Sequence, residues 1–144
     1  MTLVKQLLAA KGDTVWKISP EASVYEALEM MAEKNVGSLL VLDGEKLSGI
    51  LSERDYARKV ILQNKASTKI PVREIMSTTV YCVAPDSTIE QCMALMTEKR
   101  IRHLPVLKGD ELVGIVSIGD VVKAIMSTQE FLIEQLENYI VSGG

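Results

Sequence analysis

The chain has 144 residues, 47% of them apolar and 24% charged, with a net charge of −3. This composition is typical of a globular protein with one domain or two small halves, and no apolar run approaches the roughly 18 residues of a membrane-spanning helix. The negative charge argues against nucleic-acid binding, which depends on many Lys and Arg side chains. Because the N-terminus is too short and too interrupted for a signal peptide, we expect a cytoplasmic protein.

The first half of the chain predicts an N-terminal helix followed by a strand and a second helix. Helical spacing of apolar residues indicates the N-terminal helix: Leu3, Val4, Leu7 and Leu8. Pro20 ends a short strand at residues 15–19, and the capping-box pattern Ser23-x-x-Glu26 begins the second helix. The buried face of that helix is predicted to hold Val24, Ala27, Leu28 and Met31.

A hairpin and a further helix complete the first half, which gives the order β-α-β-β-α. Asp43-Gly44 separates the apolar runs 39–42 and 47–51, and this arrangement favours a tight hairpin turn. The last helix is predicted to begin near Ser52. Its buried residues are predicted to be Tyr56, Val60 and Ile61.

The second half predicts the same elements in the same order. Residues 80–84 form a strand before Pro85, and Thr88-x-x-Gln91 begins a helix. The predicted buried residues of this helix and of the one starting near Ser117 are Ile89, Cys92, Met93, Met96, Val121, Val122 and Ile125. A capping box, Ser127-x-x-Glu130, indicates a separate C-terminal helix with one apolar face made by Leu132, Leu136, Tyr139 and Ile140.

The two halves are a duplication. A shift of 65 positions aligns residues 15–59 with residues 80–124 without a gap, and 14 of the 45 aligned pairs are identical. Such self-similarity indicates two copies of one structural unit that bury their apolar faces together. We therefore predict an α/β (α+β) fold of two β-α-β-β-α repeats, with residues 1–62 as the first repeat, 63–71 as a linker and 72–144 as the second repeat.

Several motifs in both halves resemble the CBS domain, a regulatory module of the cystathionine β-synthase type. They are Leu47-x-Gly49-Ile50 with Leu112-x-Gly114-Ile115, and Ser52-x-x-Asp55 with Ser117-x-x-Asp120. Ser52-Glu-Arg-Asp-Tyr56, Arg100-Ile-Arg-His-Leu-Pro-Val106 and the stretch 129–138 are similar to small stand-alone bacterial CBS-pair proteins. The resemblance implies two clefts related by a pseudo-two-fold axis, binding of AMP, ADP, ATP, NAD(H) or S-adenosylmethionine, and a homodimer.

The Ser-x-x-Asp motifs are the first candidate ligand-binding groups. Ser52 with Asp55, and Ser117 with Asp120, fit simple helix capping, because a serine at the N-cap and an acidic residue in the first turn satisfy free amides. A carboxylate held at a helix start also suits the two hydroxyls of a ribose, and the nearby amides suit phosphate. The family resemblance favours the ribose role.

A basic cluster in the second repeat is the candidate phosphate site. Arg102 and His103 precede a strand, whereas Arg100 fits a solvated helix end. The first repeat has Gly37 and Ser38 at those positions but carries Arg54, so the two clefts are chemically unequal. We hypothesise that a nucleotide held by Asp55 directs its phosphate toward Arg54 and, across the pair interface, toward Arg102 or His103. One histidine without co-ligands makes a metal site improbable.

An apolar slot for adenine is predicted along the first strand of each repeat. Its candidate walls are Lys17, Ile18, Cys82 and Val83, with Val36 and Ile101 opposite. For Ile18 and Val83 the competing interpretation is an ordinary core position. Cys82 and Cys92 are expected to stay as small unpaired apolar groups, because an intracellular chain rarely keeps disulfides.

These features favour a regulatory sensor of adenine nucleotides over an enzyme. The chain has no phosphate-binding glycine motif and no recognisable catalytic triad, and the basic cluster favours phosphate over the cationic S-adenosylmethionine. Three alternatives remain open: an S-adenosylmethionine sensor, a scaffold whose terminal helices bind a partner protein, and redox control through Cys82 or Cys92, which have no basic neighbours in the sequence. The sequence predicts no catalytic cofactor and no membrane partner, and it does not identify the regulated target.

Overall fold

The computed structural model describes residues 2–12, 14–63, 65 and 68–143, with side chains to residue 138. Its main elements in chain order are α1 (Val4–Lys11), β1 (Lys17–Ile18), α2 (Val24–Lys34), β2 (Ser38–Asp43), β3 (Lys46–Ser52), α3 (Glu53–Tyr56), α4 (Ile89–Lys99), β4 (His103–Lys108), β5 (Glu111–Ser117) and α5 (Ile118–Gly143). A π-helical turn, Ala57–Ile61, follows α3, and Val72–Glu74 is a 3₁₀ turn. The order confirms the predicted mixed α/β class.

The chain divides into two compact units, each built on one repeat. The repeat-one unit contains Thr14–Cys82 and Lys108–Leu112, and the repeat-two unit contains Met1–Asp13, Val83–Leu107 and Val113–Gly144. This division differs from the boundaries drawn on the sequence, because α1 packs with the second repeat and residues 72–82 with the first. Within the predicted linker at residues 63–71, Asn64, Ala66 and Ser67 lie outside the described residues.

Repeat one contains a three-stranded sheet in the order β1-β2-β3. β1 runs parallel to β2, and β2 and β3 form the predicted antiparallel hairpin, whose turn residue Gly44 has a φ of 65°. Glycine adopts this left-handed conformation without a steric penalty. The core beneath the sheet is formed by Ile18, Val24, Ala27, Met31, Leu39, Val41, Leu51, Val60, Ile70, Val72 and Ile75.

Repeat two contains only a two-stranded sheet, β4-β5, so the strand predicted at residues 80–84 is reduced to one bridge. Val83 pairs in parallel with Val106, donating to the carbonyl of Pro105 and accepting from the amide of Leu107. The residue of repeat one that aligns with Pro105 is Leu40, whose amide donates to the Trp16 carbonyl at 3.2 Å. Pro105 has no amide hydrogen, so that ladder bond has no counterpart in repeat two.

The helices after each first strand follow the predicted capping patterns. The Ser23 hydroxyl accepts from the Glu26 amide at 3.1 Å. At the start of α4, Thr88 and Gln91 form both reciprocal bonds of a capping box, at 2.8 and 3.1 Å. The predicted core residues of α2 and α4 are buried except Leu28 and Met93, which are half-buried.

Two short segments pack over the helix starts of the repeats. Residues 70–76, here the central strap, contact repeat one, and residues 2–8, the N-terminal strap, contact repeat two. The amide of Val72 donates to the Ala22 carbonyl at 2.7 Å. The corresponding amide of Val4 donates to the Ser87 carbonyl at 2.8 Å. Further matching pairs are Arg73 N with Pro20 O and Lys5 N with Pro85 O, and Val24 N with Ile70 O and Ile89 N with Thr2 O.

The straps are therefore a second duplicated feature, which the alignment of the repeats does not include. Val4 and Val72 are 68 positions apart, whereas the repeats are offset by 65. Each strap ends against a strand glycine. A Cβ at Gly49 would lie 2.6 Å from the Ser77 carbonyl oxygen, and one at Gly114 would lie 2.8 Å from a methyl of Leu8. A side chain at Gly49 would overlap backbone, whereas one at Gly114 would require the Leu8 side chain to move.

The last helices of the two repeats differ from the prediction in which residues they bury. Val60 and Val121 are buried, whereas Ile61 and Val122 are exposed, because each follows a buried residue directly and projects about 100° away from it. Tyr56 and Ile125 are half-buried.

The C-terminal helix is not a separate element. α5 runs without a break from Ile118 to Gly143, so the helix start predicted at Ser127 is wrong. Ser127 lies inside the helix, and the neighbouring Thr128 hydroxyl donates to the Ala124 carbonyl one turn earlier at 3.1 Å. A serine or threonine hydroxyl inside a helix can donate to a carbonyl one turn earlier, so a capping pattern in the sequence does not always mark the start of a helix. The side chains of Tyr139 and Ile140 lie outside the described part.

Candidate functional site

The helix that follows β3 holds Asp55 in a defined orientation. Ser52 and Asp55 form a reciprocal capping box: the Asp55 amide donates to the Ser52 hydroxyl at 3.2 Å, and the Ser52 amide donates to Asp55 Oδ2 at 3.0 Å. The Ser52 hydroxyl also lies 3.0 Å from the same oxygen. Lys59, one turn later, approaches Oδ1 at 3.4 Å. The carboxylate is thus fixed at the helix start with its side chain 18% exposed.

Asp120 has the equivalent arrangement in repeat two. The Ser117 amide donates to Asp120 Oδ2 at 2.9 Å, and the Asp120 amide donates to the Ser117 hydroxyl at 3.1 Å. Burial alone would raise the pKa of the Asp120 carboxyl, but hydrogen bonds from Lys11 and Ser117 outweigh it and leave the pKa below its ordinary value. Asp120 therefore carries its negative charge across the physiological pH range.

A second backbone contact places the segment before each hairpin beside the helix start. The Glu53 amide donates to the Gly37 carbonyl at 3.0 Å, and the Ile118 amide donates to the Arg102 carbonyl at 2.8 Å. Arg102 and the adjoining His103 therefore belong to the same corner of repeat two as Asp120. The corresponding corner of repeat one has Gly37 and Ser38, so its basic groups are Arg54 and Lys59 instead.

The pKa of His103 depends on its burial and on the charges around this corner. Burial lowers the pKa of His103 below its ordinary value, and the positive charges of Lys11 and Arg102 lower it further, while Asp120 acts in the opposite direction. The half-buried imidazole is consequently neutral at pH 7 and can accept or donate a hydrogen bond without carrying a charge.

Two lysines at these corners were not identified from the sequence. Lys59 stands four residues after Asp55, a spacing that brings opposite charges together on a helix and could have been recognised. Lys11 lies 109 residues from Asp120, yet its ammonium reaches the Asp120 carboxylate at 2.5 Å. Nothing local in the sequence signals that contact.

The structure separates the predicted adenine-slot residues by repeat. Ile18 is buried in the repeat-one core, and Val36 packs against the same cluster, so the core interpretation fits Ile18. Lys17, next to it in β1, is exposed. In repeat two, Val83 and Ile101 are half-buried, and Ile101 follows Arg100, which is exposed and ends α4.

Both cysteines are free thiols, as expected. Cys82 is half-buried and Cys92 is fully buried in α4. Burial raises the pKa of each thiol. A raised pKa favours the protonated thiol, which is a weaker nucleophile than the thiolate.

Neither a metal-binding cluster nor a membrane-spanning helix occurs among the described residues. Among them, no group of three or more His, Cys, Asp or Glu side chains is close enough to hold a metal ion. None of the described helices combines the length and apolar character needed to cross a bilayer.

Comparison with known proteins identifies the fold family. The family model for the CBS domain matches residues 13–62 and 72–127, which cover the two repeats. A CBS domain-containing mitochondrial protein of Arabidopsis thaliana, CBSX3, is 38% identical over 140 residues, which are 94% of this chain and 68% of that protein.

Solved structures agree. A protein with CBS domains from Burkholderia ambifaria has a TM-score of 0.85 and 50% identity, covering 89% of this chain and 96% of that one. The CBS domain pair of protein MJ0100, solved in complex with methylthioadenosine and S-adenosylmethionine, has a TM-score of 0.78 and 27% identity, covering 89% and 98%. From its duplicated repeats and these matches, the chain belongs to the CBS-domain family as a tandem pair.

Proposed function

We propose that this chain is a regulatory module that binds an adenine nucleotide, AMP, ADP, ATP or NAD(H), and passes that signal to a separate partner protein. One observation carries the proposal: each repeat holds a carboxyl group, Asp55 or Asp120, at the start of a helix through its own serine amide. Proteins of this family are generally regulatory rather than catalytic, and we propose no catalytic role or catalytic cofactor here.

Asp55 and Asp120 are the proposed ribose ligands. An ionised carboxylate accepts hydrogen bonds only, and it can take one from each hydroxyl of a cis-diol. The serine amides fix the orientation of both carboxylates before a ligand arrives, which lowers the ordering cost of binding. Ser52 and Ser117 hold these carboxylates and add hydroxyls at the same helix starts.

The phosphate is proposed to bind the basic groups of the same corner. Arg54 serves this role in repeat one, and Arg102 with His103 serves it in repeat two. A guanidinium binds phosphate through charge-assisted and often bidentate hydrogen bonds. The start of a helix as long as α5 favours a nearby anion as well.

The adenine is proposed to lie against the first strand of each repeat. Lys17 with Val36, and Cys82 and Val83 with Ile101, remain its candidate walls, while Ile18 supports the slot from the core. An adenine ring needs an apolar surface and nearby backbone groups, and the strand edges supply both.

An S-adenosylmethionine-type ligand is the second candidate. It is favoured by one observation, that the MJ0100 pair binds methylthioadenosine and S-adenosylmethionine. Both molecules contain the adenosine ribose, so the two aspartates would serve either class. The basic groups separate the classes, because a sulfonium cation is repelled where a phosphate is attracted.

A calorimetric titration panel tests the proposal. AMP, ADP, ATP, NAD(H) and S-adenosylmethionine are titrated into the wild-type chain and into Asp55→Asn, Asp120→Asn and the double variant. We expect each single substitution to weaken binding at its own repeat by about tenfold, the cost of removing a charged hydrogen-bond partner. Asparagine retains the carbonyl that accepts the serine amide, so the helix start should stay intact.

Glu53→Gln is the matched control, because it removes the same charge from an exposed position on the same helix start. It should leave the affinity unchanged. If the double aspartate variant binds nucleotide as tightly as the wild type, the ribose assignment is wrong. If the wild type binds none of the panel, the scaffold interpretation replaces the sensor.

A further inference from the structure

Lys11 makes an ion pair that links the N-terminal helix to the proposed ribose ligand of repeat two. Its ammonium lies 2.5 Å from Asp120 Oδ2 and 3.0 Å from the Ile115 carbonyl oxygen. The Lys11 and Asp120 side chains are 31% and 24% exposed, so the pair is partly shielded from solvent. Such shielding makes the interaction stronger than that of a surface pair.

The docking of α1 determines where Lys11 stands. Val4 and Leu7 are buried, and Leu8 packs against the Gly114 backbone. At the other end of the helix Lys5 pairs with Asp86 at 3.2 Å. The Lys11 side chain is long enough to change its contacts while its Cα stays beside Asp120.

Lone-pair counting shows that Lys11 and a ribose compete. A carboxylate oxygen offers about two acceptor directions. Asp120 Oδ2 uses one for the Ser117 amide and the other for Lys11. A diol that bridges both carboxylate oxygens needs one direction on Oδ2, and it must therefore displace the ammonium.

We propose that Lys11 is a specificity-determining residue that makes the repeat-two site select adenosine ligands carrying a 5′-phosphate over neutral adenosine. This inference rests on the proposed nucleotide function. Neutral adenosine takes the Asp120 oxygen and supplies no anion in exchange for the ion-pair contact that Lys11 loses. A nucleotide takes the same oxygen but supplies a phosphate, to which the displaced ammonium can move.

Repeat one does not have this arrangement. Lys59 approaches Asp55 from its own helix at 3.4 Å, and it contacts Oδ1 rather than the oxygen that accepts the serine amide. Its ammonium is also bonded to the Ile75 carbonyl at 2.9 Å. The second direction on Asp55 Oδ2 is taken by the Ser52 hydroxyl. A diol on Asp55 therefore displaces a neutral hydroxyl rather than a cation, so we expect repeat one to discriminate less between AMP and adenosine.

The test compares AMP and adenosine in an Asp55→Ala background, where the Asp120 site is the one titrated. Lys11→Met keeps the length of the side chain and removes its charge. Lys5→Met, on the same helix, is the matched control, because it removes an equal charge from an exposed ion pair. Unfolding midpoints verify that all three proteins are folded.

We expect Lys11→Met to weaken AMP by about fivefold and to strengthen adenosine, so that the preference for AMP falls roughly tenfold. Lys5→Met should keep the preference of the parent. An unchanged preference in Lys11→Met overturns the inference. If the wild type binds nucleotide but the Asp55→Ala parent does not, the inference alone fails; if the wild type binds neither ligand, the proposed function fails with it.

Discussion

At the scale of single residues, the surroundings of His103 alter its pKa. Its folded-state pKa is lower than the ordinary value of 6.5, chiefly through burial. Between the folded and unfolded pKa values the unfolded chain therefore binds more protons, and the free energy of unfolding decreases as the pH falls through this window. Stability supplied by the neutral imidazole is fully present above pH 6.5 and is lost on acidification.

We predict that the wild-type unfolding midpoint decreases from pH 7.5 to pH 5 and that His103→Gln reduces this slope. The chain has one histidine, so no other imidazole contributes. Thermal unfolding monitored by circular dichroism at half-unit pH intervals measures both slopes. Equal slopes in the two proteins would show that His103 is not the titrating group.

The residues that end α2 and α4 have the same backbone conformation but different side chains. Asn35 ends α2 with a φ of 54°, and Arg100 ends α4 with a φ of 55°. Asparagine tolerates this left-handed region, whereas arginine is strained there. The end of α4 is thus the less favourable of the two.

We predict that Arg100→Gly raises the free energy of unfolding by about 0.5–1 kcal/mol, because it removes the steric penalty. Asn35→Gly, the matched change in α2, should alter it by only a few tenths of a kcal/mol. Urea unfolding of both variants measures the difference. A destabilised Arg100→Gly would show that the arginine side chain makes a contribution larger than its strain.

The sequence predicts the local part of the site and misses its long-range part. Ser52 with Asp55, and Ser117 with Asp120, are three residues apart, so capping geometry determines their contact directly. Lys11 reaches Asp120 only because α1 packs on the second repeat. Such a contact depends on tertiary structure, which the spacing of residues in the sequence does not predict.

At the scale of elements, the straps explain why both repeats have a glycine at the same strand position. Gly49 and Gly114 occupy the same position in the Leu-x-Gly-Ile strands, and both are covered by a strap. The nearest neighbours differ, however: they are the backbone oxygen of Ser77 and the Met76 side chain at Gly49, and the Leu8 side chain at Gly114.

We predict that Gly49→Ala destabilises the protein by about 2–3 kcal/mol and Gly114→Ala by about 1 kcal/mol, since the Leu8 side chain can turn away but the Ser77 backbone cannot. The pair is its own control, because position and substitution are equivalent in the two repeats. Equal losses in denaturant unfolding would contradict the strap contacts.

The elements that sequence patterns predict well are those determined by local chemistry. The first hairpin, the helix starts at Ser23 and Thr88, and most buried positions of α2 and α4 follow from turn residues, capping residues and helical spacing. The strand at residues 80–84 fails because Pro105, on its partner strand, removes an amide. The boundary at Ser127 fails because apolar spacing simply continues through α5.

At the scale of the whole molecule, α5 carries apolar side chains that the chain itself does not cover. Phe131, Leu132, Ile133 and Leu136 are each more than half exposed. Apolar clusters of this kind usually bind another protein surface. They support the expected homodimer, in which a second copy would cover the helix.

We predict that Leu136→Glu shifts the protein from dimer to monomer, because burying the new carboxylate in an interface is costly. Gln135→Glu adds the same charge at the neighbouring exposed position and should leave the mass unchanged if that position faces away from the partner. Light scattering coupled to size exclusion gives both masses. A wild-type protein that is already monomeric would remove the basis for the expected dimer.

The duplication of residues 15–59 in residues 80–124 predicted two structural units, but it did not predict how the chain is shared between them. The straps lie outside the aligned block and at a different offset, so a comparison of the repeats alone assigns each strap to the repeat next to it. In the structure the N-terminal strap packs with the second repeat and the central strap packs with the first.

The crossed assignment of the straps bears on how such a protein could arise. A shorter ancestor with one strap and one repeat would have an uncovered helix start, and a second copy could cover it by exchanging straps. Joining two such copies end to end makes the exchange intramolecular and independent of concentration. Cutting the chain between the copies should therefore yield fragments that reassociate rather than fold alone.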